Sequence, residues 1–258
     1  MKKLVCLSLV LCLFGCMHLA TRDYNVDLRV YIHHRLEEPV NEIIPAFEAH
    51  TGLNVSARTG CVSSVLIPAI KKSREADVLI TASPVHMAAA RKAGVVNSAQ
   101  TIAWNSVVLV VKKGNPLNIK SPEDLKKPGV RLVMPEPESG CPSRVANEIV
   151  EKWGLAKQAS EAQHADMKCS NLPGLNMVAQ GKADATFRWR MLAVTVDGVD
   201  IIPIQKDKGS PCECLAAVVK GAPHKENARK FLDFLKNEKA QSTFRKYGLL
   251  DLNEKAAK

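Results

Sequence analysis

Three cysteines stand where an apolar, strand-like run gives way to a helix-like run: Cys61 in "TGCVSSVL", Cys141 in "PESGCPSR" and Cys169 in "MKCSNLPG". Small hydroxyl residues surround them, Ser63 and Ser64 among them. A hydroxyl beside the backbone N–H groups of a helix start suits an oxyanion, and the same residues also serve as plain helix caps. The thiols point elsewhere. A helix N-terminus lowers a cysteine pKa, so Cys61 and Cys141 are expected as thiolates, and a thiolate repels an oxyanion. Thiolate with imidazole suits soft or borderline ions, namely Cu(I), Zn(II) or trivalent arsenic. Imidazoles are at hand in His33 and His34, which close the first β-prone run, "DLRVYI". Neighbours on a strand face opposite ways, so one of the two at most is expected as a ligand. Cys212 and Cys214, in "PCEC", share one face if they lie on a strand, a spacing that suits a metal better than a relaxed disulfide. A nucleophilic Cys61 or Cys141 with a histidine base is conceivable chemistry, but nothing in the sequence orients a triad. No enzyme is expected.

Residues of these types need a scaffold, and hydrophobic periodicity supplies one. "DLRVYI", "LNVSAR" and "DVLITAS" read as strands, each followed by a helical pattern: "PVNEIIPAFEAHTG", "SSVLIPAIKKSREA" and "PVHMAAARKAG". The alternation predicts an α/β fold whose mainly parallel sheet is flanked by helices, with ligands at the carboxyl ends of the strands. Further on, "NSVVLVVKKGNP", "VRLVMPEP", "DATFRW", "DIIPI" and "CLAAVVKG" read as strands. "SPEDLKKPG", "PSRVANEIVEKWG" and "NLPGLNMVAQGKA" read as helices, and two amphipathic helices lie in "HKENARKFLDFLKNEKAQSTFRKYG".

Composition bounds the function. The chain has 258 residues with 46% hydrophobic and 24% charged, which is ordinary for globular protein and long enough for two modest domains. Lys and Arg outnumber Asp and Glu by 36 to 26, a formal net charge of +10. The basic residues are scattered in "KKSR", "VKKG", "DLKKPG" and "FRWR" without interleaved aromatics, so nucleic acid is not an expected partner. The N-terminus, "MKKLVCLSLVLCLFGC", sets two lysines before an apolar run too short to span a bilayer, which reads as a signal peptide. Its end resembles a bacterial lipobox. Residues 1–15 are then the signal peptide, Cys16 the lipidated mature N-terminus and 16–26 a tether, placing the protein outside the cytoplasm and on a membrane. Export leaves five cysteines in the folded part, an odd number in a compartment that favours disulfides.

"FEAHTGLNV", "SSVL", "ADVLITAS", "NSVVLVVKKGNP", "DLKKPGVRLVMPEP" and "FLDFLKNEKAQSTFRKYG" stand in an order that resembles the periplasmic solute-binding proteins of ABC importers, most of all the molybdate-binding branch. The resemblance implies a type II two-lobed fold with two crossing strands as hinge, and a monomer that works with an ABC permease and ATPase. Lobe one is then 27–105 plus 213–258 and lobe two 106–212, with crossings near Asn105–Val108 and Glu213–Leu215. A sensor for a membrane kinase would use the same closed state.

The resemblance also implies a site. Loops at 32–34, 60–64, 138–143, 169–173 and 187–190 match the loops that hold a bare tetrahedral oxyanion, with Ser63 and Ser64 at the serine turn. Departures from the family pattern bring His33 and His34, Cys61, Cys141 and Cys169 toward one cleft. Trp189, flanked by Arg188 and Arg190, stands where the family has a tyrosine. The leading expectation is one thiophilic ion on Cys61, Cys141, Cys169 and His33. The alternative is a molybdate or tungstate oxyanion on Ser63, Ser64 and helix-start amides, compatible with a Cys141–Cys169 disulfide inside lobe two. No cofactor is expected.

Overall fold

A computed structural model of the chain describes residues 26–135, 141–165, 172–204 and 211–252; for Cys141, Pro142 and Ala165 it describes the backbone alone. The lipobox cysteine Cys16 and the loop cysteine Cys169 lie outside the described residues, as does the side chain of Cys141.

The strands are β1 (Leu28–His33), β2 (Val55–Gly60), β3 (Val78–Thr81), β4 (Gln100–Asn105), β5 (Val107–Lys112), β6 (Leu132–Pro135), β7 (Gln163–Ala165), β8 (Ala185–Trp189), β9 (Val199–Ile202) and β10 (Cys212–Val218). They form two five-stranded sheets. Sheet one has the order β2-β1-β3-β10-β4 and sheet two the order β7-β6-β8-β5-β9. In sheet one β1 pairs parallel with β2 and β3, while β10 runs against both β3 and β4. In sheet two β6 pairs parallel with β7 and β8, while β5 runs against both β8 and β9. Each sheet therefore holds four strands of one direction and one reversed strand, fourth in order, contributed by chain that has just arrived from the other sheet. The two lobes so formed are the fold that the alternation and the resemblance lead one to expect.

Helices cover the sheets because their apolar stripes must be buried. Helix α1 (Glu37–Thr51) buries Val40, Ile43, Ile44 and Phe47, carries Glu37 and Glu38 in its first turn, and ends at Gly52 with φ 72°. Acids near the N-terminus complement the helix dipole, and glycine accepts the left-handed cap that stops the helix. Helix α2 (Ile67–Ser73) and helix α3 (Pro84–Lys92) cover the other face of sheet one, where Ile67, Ile70, Met87 and Ala90 join Tyr31 and Leu79. In lobe two, helix α4 (Cys141–Trp153) buries Val145, Ala146 and Ile149. Helix α5 (Ala156–Ser160) follows it. Helix α6 (Pro173–Ala179) covers the opposite face, with Leu175 and Val178 packed on Val108, Val110 and Val133. Helix α7 (Arg190–Ala193) is a single turn after β8. Helix α8 (Lys225–Phe234) and helix α9 (Glu238–Lys246) return to lobe one, where Phe231 and Phe234 meet Phe47 edge-on at 4.9 and 5.4 Å between ring centroids.

Ser106 alone separates β4 from β5, so the first crossing is almost straight; its carbonyl accepts a hydrogen bond from the Arg190 N–H at 2.8 Å. The return runs from Ile202 to Cys212, which pairs with Asn105 beside the first crossing. Leu250 and Trp104 exchange both backbone hydrogen bonds, at 2.7 and 2.8 Å, tying the C-terminal segment to edge strand β4.

The second predicted helix divides. Val62–Leu66 form a π-turn whose Val65 and Leu66 N–H groups both reach the Cys61 carbonyl at 3.0 Å, and α2 starts only after it. Pro68 has no N–H to continue an α-helical ladder back into this turn, so the turn widens. It also folds back over the end of β2. A Cβ at Gly60 would meet Val65 Cγ1 at 2.7 Å, so a side chain there would require Val65 to shift.

Candidate functional site

The carboxyl end of β1 sets the first group. His33 is 2% exposed, and its Nδ1 accepts the Arg35 N–H at 3.4 Å as the strand turns into a 3-10 helix, His34–Leu36. Because Nδ1 accepts, the neutral ring carries its proton on Nε2. The strand ends at His33, so His34 is free of strand alternation and both rings lie together, 4.3 Å between centroids. The expectation that only one of the two could turn to the site is corrected on this ground. On the other side His33 stacks on His86, 4.5 Å away and tilted by 27°. His86 lies in the first turn of α3, where its Nδ1 is 3.0 Å from the Oγ of the N-cap residue Ser83.

These imidazoles are neutral. Burial pushes His33 down to about 2, helped by the repulsion that a second proton on His86 or His34 would meet and by the Arg35 charge. Desolvation and then the Arg35 guanidinium lower His34, against a hydrogen bond to the Gly60 backbone and the nearby Glu37. Desolvation, Arg35 and His34 lower His86. Arg35 is thus the charge common to all three rings.

Lobe two contributes Arg188. It is 0% exposed, in β8 beside Val108, two residues past the crossing Ser106. It shares a strand face with the buried Thr186, between the main-core residues Phe187 and Trp189. Burial, and after it the Arg35 charge from the other lobe, together lower its pKa to about 9. Arg190 follows in α7, and its Nη1 donates to the Gly248 carbonyl at 3.1 Å, joining lobe two to the C-terminal segment of lobe one.

The predicted residues separate accordingly. Cys61 is exposed at the end of β2, its Sγ 3.8 Å from His34 Nδ1. Ser63 and Ser64 are exposed on the π-turn. The N-cap position there is Cys61, and no side chain caps the turn, so helix capping does not account for these serines. His33, His34 and Cys61 come together. Trp189 does not join them: it is 4% exposed and packed in the main apolar core, because outward and inward positions alternate along β8 and it falls on the core side. Cys141 opens α4, and its pairing with Cys169 lies outside the described residues.

Among the described residues no three His, Cys, Asp or Glu side chains are grouped to hold an ion. His33 stacks on His86 and lies tilted against His34. Cys212 and Cys214 are buried core residues, and burial pushes the Cys214 thiol up to about 12, which keeps it protonated.

Arg35, His86 and Ser83 escaped sequence reasoning as site residues. The signal for the last two was present: "SPVH" opens a helix after β3 just as "GCVSS" follows β2, so the strand-end rule that singles out Cys61 covers them also.

Two α/β lobes with polar groups gathered at facing strand ends define a solute-binding protein. The chain belongs to the bacterial extracellular solute-binding protein family, which it matches over residues 28–250. It is 26% identical over 256 residues to a Haemophilus influenzae protein described as a binding protein, covering 97% of this chain and 99% of that one. It is 32% identical over 155 residues to the molybdate-binding protein ModA of Mycobacterium tuberculosis; that match spans 58% of this chain and 56% of the relative. Among solved structures, a substrate-binding domain from Clostridium difficile, described as that of a molybdenum ABC transporter, aligns with a TM-score of 0.76. It has 20% identity, over 87% of this chain and 98% of that one. PEB3 with L-phospholactate bound aligns with a TM-score of 0.67 and 22% identity, over 87% of this chain and 99% of that one. The chain is a binding protein of the ABC-transporter type, akin to molybdate-binding proteins, and not an enzyme.

Proposed function

We propose that the chain captures a small oxyanion in the cleft between its lobes and delivers it to an ABC permease and ATPase. The observation that carries this is the charge of the cleft. Arg35 from lobe one and Arg188 from lobe two are within electrostatic reach of each other, and the imidazoles beside Arg35 are neutral. Guanidinium forks and N–H donors suit an oxyanion. Ser63 and Ser64, exposed on the π-turn at the end of β2, add hydroxyls at the rim. Residues 27–105 with 213–258 and residues 106–212 are the two bodies that move on closure, as a receptor must present a different shape when loaded.

The ligand reading is tested by calorimetric titration of the reduced protein with molybdate, tungstate, sulfate and phosphate. At least one is expected to bind, with Cys61→Ser leaving its affinity unchanged. A second reading, a thiophilic ion, is favoured by one contact, the 3.8 Å approach of Cys61 Sγ to His34 Nδ1. If Cu(I), Zn(II) or arsenite binds where no oxyanion does, and Cys61→Ser abolishes it, the oxyanion reading is lost to this one. For the N-terminus we propose lipidation at Cys16; Cys16→Ser is then expected to move the protein from the membrane to the soluble fraction.

A further inference from the structure

We propose that the end of lobe one opposite the cleft is a membrane-docking face: a basic recess bordered by Lys71, Arg74 and Lys220 seats the protein on anionic phospholipid headgroups, with the cleft end of the sheet pointing away from the bilayer. The inference does not depend on what the cleft binds, so its test stands apart from that of the oxyanion reading.

Three elements meet at this recess, whose volume is about 430 Å³. Helix α2 brings Lys71 and, at its cap, Arg74; the turn after α3 brings Gly94; the chain leaving β10 brings Lys220. Ala76 closes it just before β3, and β10 runs against β3, so the recess lies at the opposite end of sheet one from His33 and Cys61. Lys72 stands in the last turn of α2, and Arg91 and Lys92 end α3 two and three residues before Gly94. All six cations are exposed, and no ion pair joins any of them to a described residue. The two acids beside the recess are occupied elsewhere. Glu75 pairs with Arg29 at 3.8 Å, and Asp77, 0% exposed, accepts the His224 N–H at 2.7 Å. Cations in the last turns of α2 and α3 complement the helix dipoles. That reason does not reach Lys220, which follows a strand and still borders the same recess.

The course of the chain selects a membrane as the occupant. In the parallel pairing of β1 with β3, Val30 lies level with Val78, so the chain enters β1 level with Ala76; there the Asp77 N–H donates to the Arg29 carbonyl at 2.9 Å. From Cys16, the residue proposed to carry lipid, the chain up to Leu28 reaches at most about 40 Å when fully extended. An anchor at Cys16 thus enters the fold at the end that carries the cations. Lys and Arg donate several N–H bonds to phosphate oxygens, and each one near an anionic surface strengthens binding about fivefold. The attraction fades within a Debye length, about 8 Å at physiological salt, so the face must lie on the headgroups to gain it.

Strands β1–β10 and helices α1–α9 all lie within residues 26–252, so the chain from Arg22 onward carries every one of them and no lipid. That protein is sedimented with vesicles of phosphatidylcholine alone, or of phosphatidylcholine with phosphatidylglycerol, at low and high salt. Binding is expected to the phosphatidylglycerol vesicles alone and is expected to vanish at about 0.5 M salt, where screening is nearly complete. Lys71→Gln, Arg74→Gln and Lys220→Gln together are expected to weaken it about 100-fold, at about fivefold for each charge. The thermal melt is expected to stay unchanged, because all three side chains are exposed. Lys120→Gln, Lys157→Gln and Lys182→Gln together remove the same charge from exposed positions of lobe two and are expected to leave vesicle binding in place. Equal binding to both kinds of vesicle, no binding to either, or an equal loss in the two triple variants would overturn the docking face. So would glycerol phosphate that binds in calorimetry and is lost in the lobe-one variant while no vesicle is bound; the recess would then serve a soluble phosphate ester.

Discussion

Sheet one and sheet two share a strand order and a reversed fourth strand, yet they differ at equivalent places. β3 and β8 are both third in order and both pair with the reversed strand. Their penultimate residues are Ile80 and Arg188, each 0% exposed. In lobe one the polar groups sit past the strand ends, in the turn of His34 and Arg35, on the π-turn and at the cap of α3. In lobe two the charge lies inside the strand. A common framework thus tolerates two ways of presenting chemistry: loops that can vary without touching the sheet, and one strand position that must accommodate a buried cation.

The strongest way to break this comparison is to exchange the two positions. Ile80→Arg places a charge among apolar neighbours that have no use for it, a change expected to cost about 3–5 kcal/mol, a large part of a typical domain's stability. Urea denaturation would register it as a collapse of the midpoint. Arg188→Met is expected to lower the midpoint less than Ile80→Arg does, because an apolar replacement avoids the desolvation cost of the guanidinium, while anion binding is weakened. A soluble Ile80→Arg protein of unchanged midpoint would mean that the two strands are not the different environments they look.

The seam between the lobes offers the next effect. Gly248 has φ 76°, and a Cβ there would lie 3.0 and 3.1 Å from the Val194 methyls and 3.2 Å from the Arg190 carbonyl. Gly248→Ala is expected to cost about 1–2 kcal/mol from the left-handed backbone alone, more from the contact. Adding Val194→Ala should recover the steric part and not the backbone part. Thermal melts of the two variants separate them.

Acid sharpens the comparison further, because the stacked imidazoles all belong to lobe one. His33 is lowered from 6.5 to about 2 in the folded protein, so the unfolded chain binds more protons across that window. The stability this ring contributes is complete above about 6.5 and is lost as pH falls toward about 2; His34 and His86 shift in the same direction. Hydrogen exchange is expected to show lobe one losing protection before lobe two between pH 7 and 5. His33→Asn, which keeps an acceptor for the Arg35 N–H, should reduce that difference. The smallest effect is a contrast in rate. Exposed Cys61 is expected to react with iodoacetamide in the native protein, and Cys212 and Cys214 only after unfolding. Equal labelling of all three in the native state would contradict the buried position of the hinge strand.

Much of the fold was legible because strands and helices alternate with their own periods, and because Gly52, Gly94 and Gly154 stand at helix ends. The crossing from β4 to β5 had no local signal and came only from the resemblance, which set it near Asn105–Val108. "QTIAWNSVVLVV" carries no glycine or proline, since the chain passes straight from one sheet to the other and needs no turn residue. The π-turn was hidden for the opposite reason, its signal being a single proline that also fits an ordinary helix start. At the site, Cys61, His33, His34 and Arg188 were picked by type and position. Sequence could not tell that the imidazoles would stack instead of converge, which depends on where β1 ends to the residue. Arg35 carries no signal of its own in the sequence. Its reach to Arg188 is a property of how two distant segments meet.

The reversed strand of sheet one also governs how the molecule can be made. β10 lies between β3 and β4, so those two strands are not joined in one sheet until residues beyond Cys212 have been synthesised and slotted between them. Strands β5 to β9, which make up sheet two, all fall between the crossings, and that sheet can close earlier. During synthesis lobe one remains a split sheet, with β3 and β4 each lacking a neighbour, for as long as its last strand is missing. Pairings of such sequence separation form slowly. A chain whose first-made lobe is the last to close stays threadable until its end emerges, which is the state that passage through a membrane requires.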